Sequence, residues 1–330
     1  MSRAAEFTLV HGGAPSEVRL QSWRANVGAP LVLDAVPTGD PSAAARAASG
    51  SLLVFSWNVW VGRGEVLRVM ESLRAGVFAP LSAGRDLPLV ILLQEAYRSD
   101  DSVPERSNGS VPRELGRRER TREDVAEVAR ELGFNLRYAP SMRNGGARTD
   151  RGNAILSNLS LEDPQALELP LVLQRRVAVS ATVTVSGRRL RLVSAHLDPR
   201  GPPGHRWLGA SGRAHQTEHL LAALEDDLVV LGADLNLGRG RRERAWRLLA
   251  DAGFTFGVPP GLPSWRHTFH SLPRLVLDYL LVRDRNGAVA AAKVQRLDEN
   301  PLDRGPNVFG SDHHPLLARI DFHPLPAATS

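Results

Sequence analysis

Two rhythms of apolar and polar residues run along this chain. In "VAVSATVTV", Val177, Val179, Ala181, Val183 and Val185 recur at every second position, which predicts a strand with one face buried. After a turn at Ser186-Gly187, "RRLRLVSAHL" points Leu190 and Leu192 inwards, completing a β-hairpin. "SLLVFSWNVWV" reads as a strand, and the unbroken run Leu89 to Leu93 in "DLPLVILLQEAY" as a strand buried on both faces. "DLVVLGADLN", "LVLDYLLVR" and "HPLLARIDF" add further strands. The helical rhythm appears in "TREDVAEVARELG", with Thr121 and Asp124 near its start, a stripe of Val125, Val128, Ala129 and Leu132, and Gly133 as terminator. Helices are also predicted over Ser211 to Leu224 and in "RRERAWRLLADAG", closed by Gly253. Hairpins mixed with strand–helix–strand passages predict an α+β fold: two mixed sheets packed face to face with helices outside, a four-layer α/β/β/α sandwich. Residues 1–50 read as an irregular lead-in with room for one edge strand, and 51–330 as a single domain. The charged stretch Arg98 to Arg120 reads as a long loop.

At 330 residues and 42% hydrophobic, the chain is long enough for a sizeable core. It has no 18-residue apolar run and no leader-like apolar segment near its start, so the expectation is a cytoplasmic protein without a membrane span. Zero cysteines exclude disulfides and thiolate metal sites. The net charge of +5 raises the odds of a phosphate-bearing partner only modestly: Lys293 is the one lysine, and such an arginine skew reflects base composition more than ligand choice.

The chemistry lies where apolar strands end. Asn58 closes "FSWN", Gln94-Glu95 close "LLQE", Asn153 follows Arg151 in "RGNAILS", and His196 and Asp198 sit in "SAHLD". Asp234 and Asn236 follow in "GADLN", Asp278 in "LDYLL", and Asp312 with His313 in "SDHH". Unsatisfied buried polar groups cost about 1–3 kcal/mol each, so converging strand ends of this kind imply a ligand or metal. Carboxylate and amide oxygens without cysteine favour Mg²⁺ or Mn²⁺ over Zn²⁺, and Glu95 with Asp312 is a sufficient carboxylate set for Mg²⁺. A histidine able to donate to phosphate oxygens and a carboxylate able to take a proton from water point to phosphoryl transfer.

Taken in order, "SWNV", "LLQE", "GNAILS", "SAHLD", "GADLN", "LDYLL" and "SDH" resemble the endonuclease/exonuclease/phosphatase superfamily, whose fold is like deoxyribonuclease I. The resemblance covers about Leu52 to Ile320. It implies a Mg²⁺-dependent phosphoesterase with Glu95 as main metal carboxylate and Asn58 and Asp312 beside it. Asp234 would orient or deprotonate the attacking water, and Asn236 and His196 would hold phosphate oxygens. His313 would contact the phosphate in the transition state, and Asp278 would orient His313. Asp198, Asn153 and Arg151 are further candidates for substrate contact, and Trp207 and Trp265 for the cleft rim. The sequence departs from the usual pattern in spelling "GADLN" and in a second histidine, His314, after "SDH".

The reaction class leaves the substrate open. A nuclease on DNA or RNA is the first reading, a hydrolase of small phosphoesters or phospholipids the second, and a non-catalytic nucleic-acid-binding relative the third. "HQTEH", His215 to His219, has helical i,i+4 spacing but misplaces the glutamate of a metalloprotease motif, so it reads as a surface helix. In "GSDHHP", an extended backbone would put Asp312 and His314 on one side. For Asp312 and His313 to share a cleft, Ser311–His313 has to be a tight bend, with Pro315 holding His314 extended.

Overall fold

The computed structural model describes residues 7–11, 18–36, 40–78, 87–107, 121–145, 148–199, 209–256, 267–300 and 305–325. Its strands are β1 (Thr8–His11), β2 (Leu31–Leu33), β3 (Ser51–Asn58), β4 (Leu89–Ser99), β5 (Asn135–Arg143), β6 (Thr149–Ser157) and β7 (Glu162–Glu168). They continue as β8 (Val177–Val185), β9 (Arg188–His196), β10 (Leu228–Asp234), β11 (Phe254–Phe256), β12 (Asp278–Asp284), β13 (Val289–Arg296) and β14 (Leu316–Phe322). The helices are α1 (Val18–Arg24), α2 (Pro41–Ala47), α3 (Val66–Arg74), α4 (Val125–Leu132), α5 (Gly209–Ala222) and α6 (Arg244–Asp251).

The strands form two seven-stranded mixed sheets, ordered β1-β7-β8-β9-β10-β12-β11 and β13-β14-β3-β4-β6-β5-β2. Their inner faces meet in one apolar layer, with Val179, Ala181, Val183, Leu190, Leu192 and Val230 opposite Leu52, Val54, Val90, Leu92 and Ile155. Each such side chain removed from water stabilises the fold by about 1.5–3 kcal/mol. A second apolar layer lies between the β3–β4 face and helices α3 and α4, through Phe55, Trp57, Val69, Met70, Val128 and Ala129. A third joins β9 and β10 to α5 and α6, through Val193, Leu231, Leu220 and Leu249. The four-layer α/β/β/α arrangement follows. The unbroken apolar runs of β4 and β10 are the strands buried on both faces, as their patterns require.

The predicted caps are in place on α4. Asp124 accepts from Ala126 N at 2.8 Å, and Gly133 closes the helix in the left-handed region at φ 68°. Other elements differ from expectation. The lead-in adds an edge strand to each sheet, β1 parallel to β7 and β2 antiparallel to β5. Arg98 and Ser99, assigned to a loop, end β4; of that loop, 108–120 lie outside the described residues, as do 200–208 with Trp207 and 257–266 with Trp265. Strands β5 and β6 bury charged side chains among their residues. Arg98 donates to Asp150 at 3.0 and 2.6 Å, and Tyr138 Oη donates to the same carboxylate at 2.7 Å, so these polar groups are buried as a satisfied network. His215 and His219 sit on the exposed side of α5, consistent with a surface helix.

Candidate active site

Neighbouring strands deliver the candidate residues to one end of the sandwich. Asp234, the last residue of β10, pairs in register with His196 at the end of parallel β9 and with Asp278 at the start of antiparallel β12. Across the gap between sheets, Asn58 ends β3 in register with Gln94 of β4. The sheets approach closely here because β10 carries Gly232, where a Cβ would lie 2.5 Å from Ser56 Oγ and 2.7 Å from Leu92 Cδ1. Gln94 Nε2 uses that proximity to donate to Gly232 O and Ser194 Oγ, each at 3.2 Å.

Gln94 points inwards, and regular alternation would send Glu95 to the helix-covered face with Ile91 and Leu93, but β4 is interrupted there. The pairing with β6 shifts between Leu93 and Ala96, and Glu95 takes the left-handed conformation at φ 55°. A bulge of this kind re-aims one side chain out of the alternation. It turns the Glu95 carboxylate towards the cleft, where Oε1 lies 3.9 Å from His196 Nδ1. Non-glycine residues adopt this backbone at a cost of about 1–2 kcal/mol, so the bulge marks a place where position matters more than stability.

Asp234 is the hub. Its Oδ2 accepts from Asn58 Nδ2 at 2.9 Å and lies 3.3 Å from His196 Nε2 and 3.9 Å from His313 Nε2. Its Oδ1 accepts from Asn236 N at 3.0 Å. Burial pushes its pKa up to about 7, with Asp278 adding to the rise and His313 opposing it. His313 Nδ1 is 2.8 Å from Asp278 Oδ2, which fixes the tautomer with Nδ1 protonated and Nε2 facing Asp234 and Asp312. Burial pulls the His313 pKa down, but Asp278, Asp234 and Asp312 outweigh it and raise it to about 10. The imidazolium is therefore held through neutral pH and lost only as pH rises through that value. His196 moves the other way: burial, then Arg176, His313 and Arg151, drive its pKa well below the usual histidine range, leaving it neutral.

The bend at the end of the chain builds this geometry. Ser311 Oγ donates to Asn58 O at 2.7 Å and accepts from His313 N at 3.1 Å, and Trp57 Nε1 donates to His313 O at 2.8 Å. Gly310 at φ 87° allows the turn, since a Cβ there would lie 2.3 Å from Arg63 O. Asp312 and His313 thus face one cleft, while His314 is fully buried on the other side of the backbone.

The other candidates are distributed around this hub. Asn58 has Nδ2 on Asp234 and Oδ1 accepting from Trp60 N at 3.0 Å, so its amide anchors the acid. Asn236 Nδ2 donates to Leu197 O at 3.0 Å, with the asparagine in the left-handed region at φ 51°. Arg151 and Asn153 line a recess with Glu95 and His196. Asp198 is set back from the cleft: it is fully buried, accepting from Leu173 N at 3.0 Å, Gln216 Nε2 at 3.2 Å and Arg176 Nε at 3.1 Å. In place of Asp198, the recess receives Arg176, a residue outside the strand-end pattern. The available signal was its position beside Arg175 at the entry to β8, a charged pair before an apolar strand.

The donor set fits a hard divalent cation. Glu95 and Asp312 are the partly exposed carboxylates of the cleft, at 21% and 19%. Burial is the main cause that raises the Asp312 pKa to about 6, with His313 opposing the rise and the charge of Glu95 adding to it. A cation between the two would compensate the burial of the Asp312 carboxylate, and an oxygen-only pair suits Mg²⁺ or Mn²⁺.

No curated protein sequence matches this chain. Among solved structures, a family protein from Leptotrichia buccalis aligns at 15% identity with a TM-score of 0.52, covering 83% of this chain and 99% of that one. The human Nocturnin catalytic domain, solved with a bound sulfate anion, aligns at 16% identity and TM-score 0.52, covering 83% and 95%. At these identities the likeness shows a shared fold. The family model described as "Endonuclease/Exonuclease/phosphatase family" matches residues 55–313, well over half of the chain. Reaching from β3 to His313 of the terminal bend, it spans every strand-end residue gathered around Asp234, and the chain belongs to this family of hydrolases acting on phosphoester bonds.

Proposed function

We propose that this protein is a Mg²⁺-dependent phosphodiesterase, with nucleic acid as its substrate class. The observation that carries the reading is the hub at Asp234: a buried acid tuned to about pH 7, 3.3 Å from a neutral histidine and 3.9 Å from a histidine raised to about 10. A base near neutral pH and a persistent cationic donor match hydrolysis of an anionic ester.

In this reading Glu95 and Asp312 would hold the cation, which would supply charge neutralisation to the phosphate. Asp234 orients a water and accepts its proton as the water oxygen bonds to phosphorus. His313 donates from Nε2 to a non-bridging oxygen, its ring held by Asp278. His196 and Asn236 place the phosphate. The ester P–O bond breaks, and the leaving oxygen takes a proton from solvent. Asn58 acts through Asp234 as a positioning residue. Arg151 and Arg176 in the adjoining recess, together with the net charge of +5, support a polyanionic substrate. The described residues hold no helix long and apolar enough to cross a membrane.

The test is a panel of DNA, RNA, nucleotide and phospholipid substrates with Mg²⁺, with EDTA, and with Glu95→Ala as control. Cleavage of DNA or RNA that EDTA and Glu95→Ala both abolish is the expected result. Turnover of a lipid or small phosphoester alone would move the substrate class, and oligonucleotide binding without any cleavage would leave a binding protein.

A further inference from the structure

Behind the cleft, beyond the backbone that carries Asp312 and His313, three buried histidines converge. His267, His270 and His314 each bring a ring nitrogen to within 4.8 Å of the others. The two segments that carry them are laced together: His314 N donates to Thr268 O at 2.8 Å, and His270 N donates to Asp312 O at 2.7 Å. His267 is held in turn, its carbonyl accepting from Arg296 Nη1 at 2.7 Å.

The outer sides of two of these rings determine what the inner sides present. His314 Nδ1 lies 2.8 Å from Asp298 Oδ1 and 3.3 Å from Leu297 O, both acceptors, so Nδ1 carries the hydrogen and Nε2 the lone pair. His270 Nε2 lies 2.9 Å from Gly305 O, so the hydrogen is on Nε2 and the lone pair on Nδ1. Those two nitrogens, His270 Nδ1 and His314 Nε2, face each other at 3.2 Å. Lone pairs at that separation repel unless a positive species lies between them, either a proton shared by the pair or a metal ion. The third imidazole favours the metal, because a shared proton has no use for it. Rings whose outer N–H groups are fixed by backbone carbonyls, with a carboxylate close to one of them, are also the arrangement that metal-binding histidines use.

We propose that His267, His270 and His314 form a binding site for a transition-metal ion of the Zn²⁺ class. Imidazole nitrogen suits such ions, whereas the oxygen donors of the cleft suit Mg²⁺, so the two sites sort different metals. Tetrahedral Zn–N bonds of about 2.0–2.1 Å put ligand nitrogens about 3.3–3.4 Å apart. The His270–His314 pair is already at 3.2 Å. The third nitrogen closes to the same spacing by a ring movement of at most about 1.5 Å. The ion clamps residues 267–270 to residues 312–314 and so holds the bend that presents Asp312 and His313, without touching substrate.

The test uses full-length protein stripped with a chelator, exposed to Zn²⁺ in excess Mg²⁺, gel-filtered, and assayed for metal by mass spectrometry. Wild type and Glu95→Gln are expected to retain about one zinc per chain, and His267→Gln and His270→Gln to lose it. Zn²⁺ is expected to raise Tm by about 2–5 °C in the first two and in neither histidine variant. Zinc-edge X-ray absorption of the wild type should show an imidazole-nitrogen shell, a readout that stands even if a variant misfolds. The proposal is overturned if wild type retains no zinc, if both histidine variants retain it in full, or if Glu95→Gln loses it.

Discussion

Asp278→Asn separates the role of charge in this site from that of shape. Asp278 is buried, its Oδ2 2.8 Å from His313 Nδ1, and its Oδ1 has no hydrogen-bond partner among the described residues. Asparagine keeps the volume and still offers an acceptor to Nδ1–H, so the ring stays in place while one negative charge disappears. Burial is the largest influence on His313 and acts downwards, so without Asp278 its pKa falls from about 10 and the imidazolium is lost at lower pH. Removing one preorganised donor from a transition-state oxyanion costs about 10²–10³ in kcat, or about 2.7–4 kcal/mol. Stability should move little or upwards, because the charge of Asp278 also raises the Asp234 pKa and that repulsion is relieved. The assay pairs kcat on the cleaved substrate, measured from pH 6 to 10, with thermal unfolding. We expect a loss of about 10²-fold or more with Tm within about 2 °C of wild type. A kcat within threefold of wild type would refute the assignment of His313 as a charged donor, and a parallel collapse of Tm would show that Asp278 is structural instead.

Four further substitutions have expected outcomes. His313→Ala should lower kcat by about 10² or more at unchanged fold. His314→Ala, behind the backbone, should act mainly on Tm; equal kcat losses would mean that both rings face the phosphate. Glu123 accepts from Val66 N at 2.7 Å, and burial pushes its pKa up to about 7. A raised carboxyl stabilises the fold fully below the unfolded value near 4.5 and loses that contribution as pH rises through about 7. Glu123→Gln should therefore gain Tm relative to wild type between pH 5 and pH 8, and a pH-independent difference would contradict the reading. Gly152 pairs with Ala96 beside the Glu95 bulge, and a Cβ there would lie 1.9 Å from Ala139 O. Gly152→Ala should cost at least about 1–3 kcal/mol in urea unfolding, and a neutral effect would show that β5 and β6 part without penalty.

Local pattern alone determined much of this protein. Strands β3, β4, β8, β9, β10, β12 and β14 and helices α4 and α6 are legible because their apolar spacing records which face meets water. The same signal runs through α3, where Val66, Val69, Met70 and Leu73 are buried, although that helix was not anticipated. The order of the strand-end motifs carried the family, since each is a short polar interruption of an apolar run. What apolar spacing cannot encode is a polar group buried by a partner far along the chain. Strand β5 contains Arg137, Pro140 and Arg143, which break any apolar rhythm; its neighbour β6 is held through Asp150 by Arg98, 52 residues away. Asp198 sits away from the recess for the same reason, buried against Arg176, which lines the recess itself. The two histidines of "GSDHHP" show the division most sharply. Their adjacency is a fact of sequence, but which one meets Asp278 and which one meets His270 depends on a bend anchored by Asn58, 253 residues earlier in the chain. Hydrogen-bond partners brought together only by folding decide what each imidazole does.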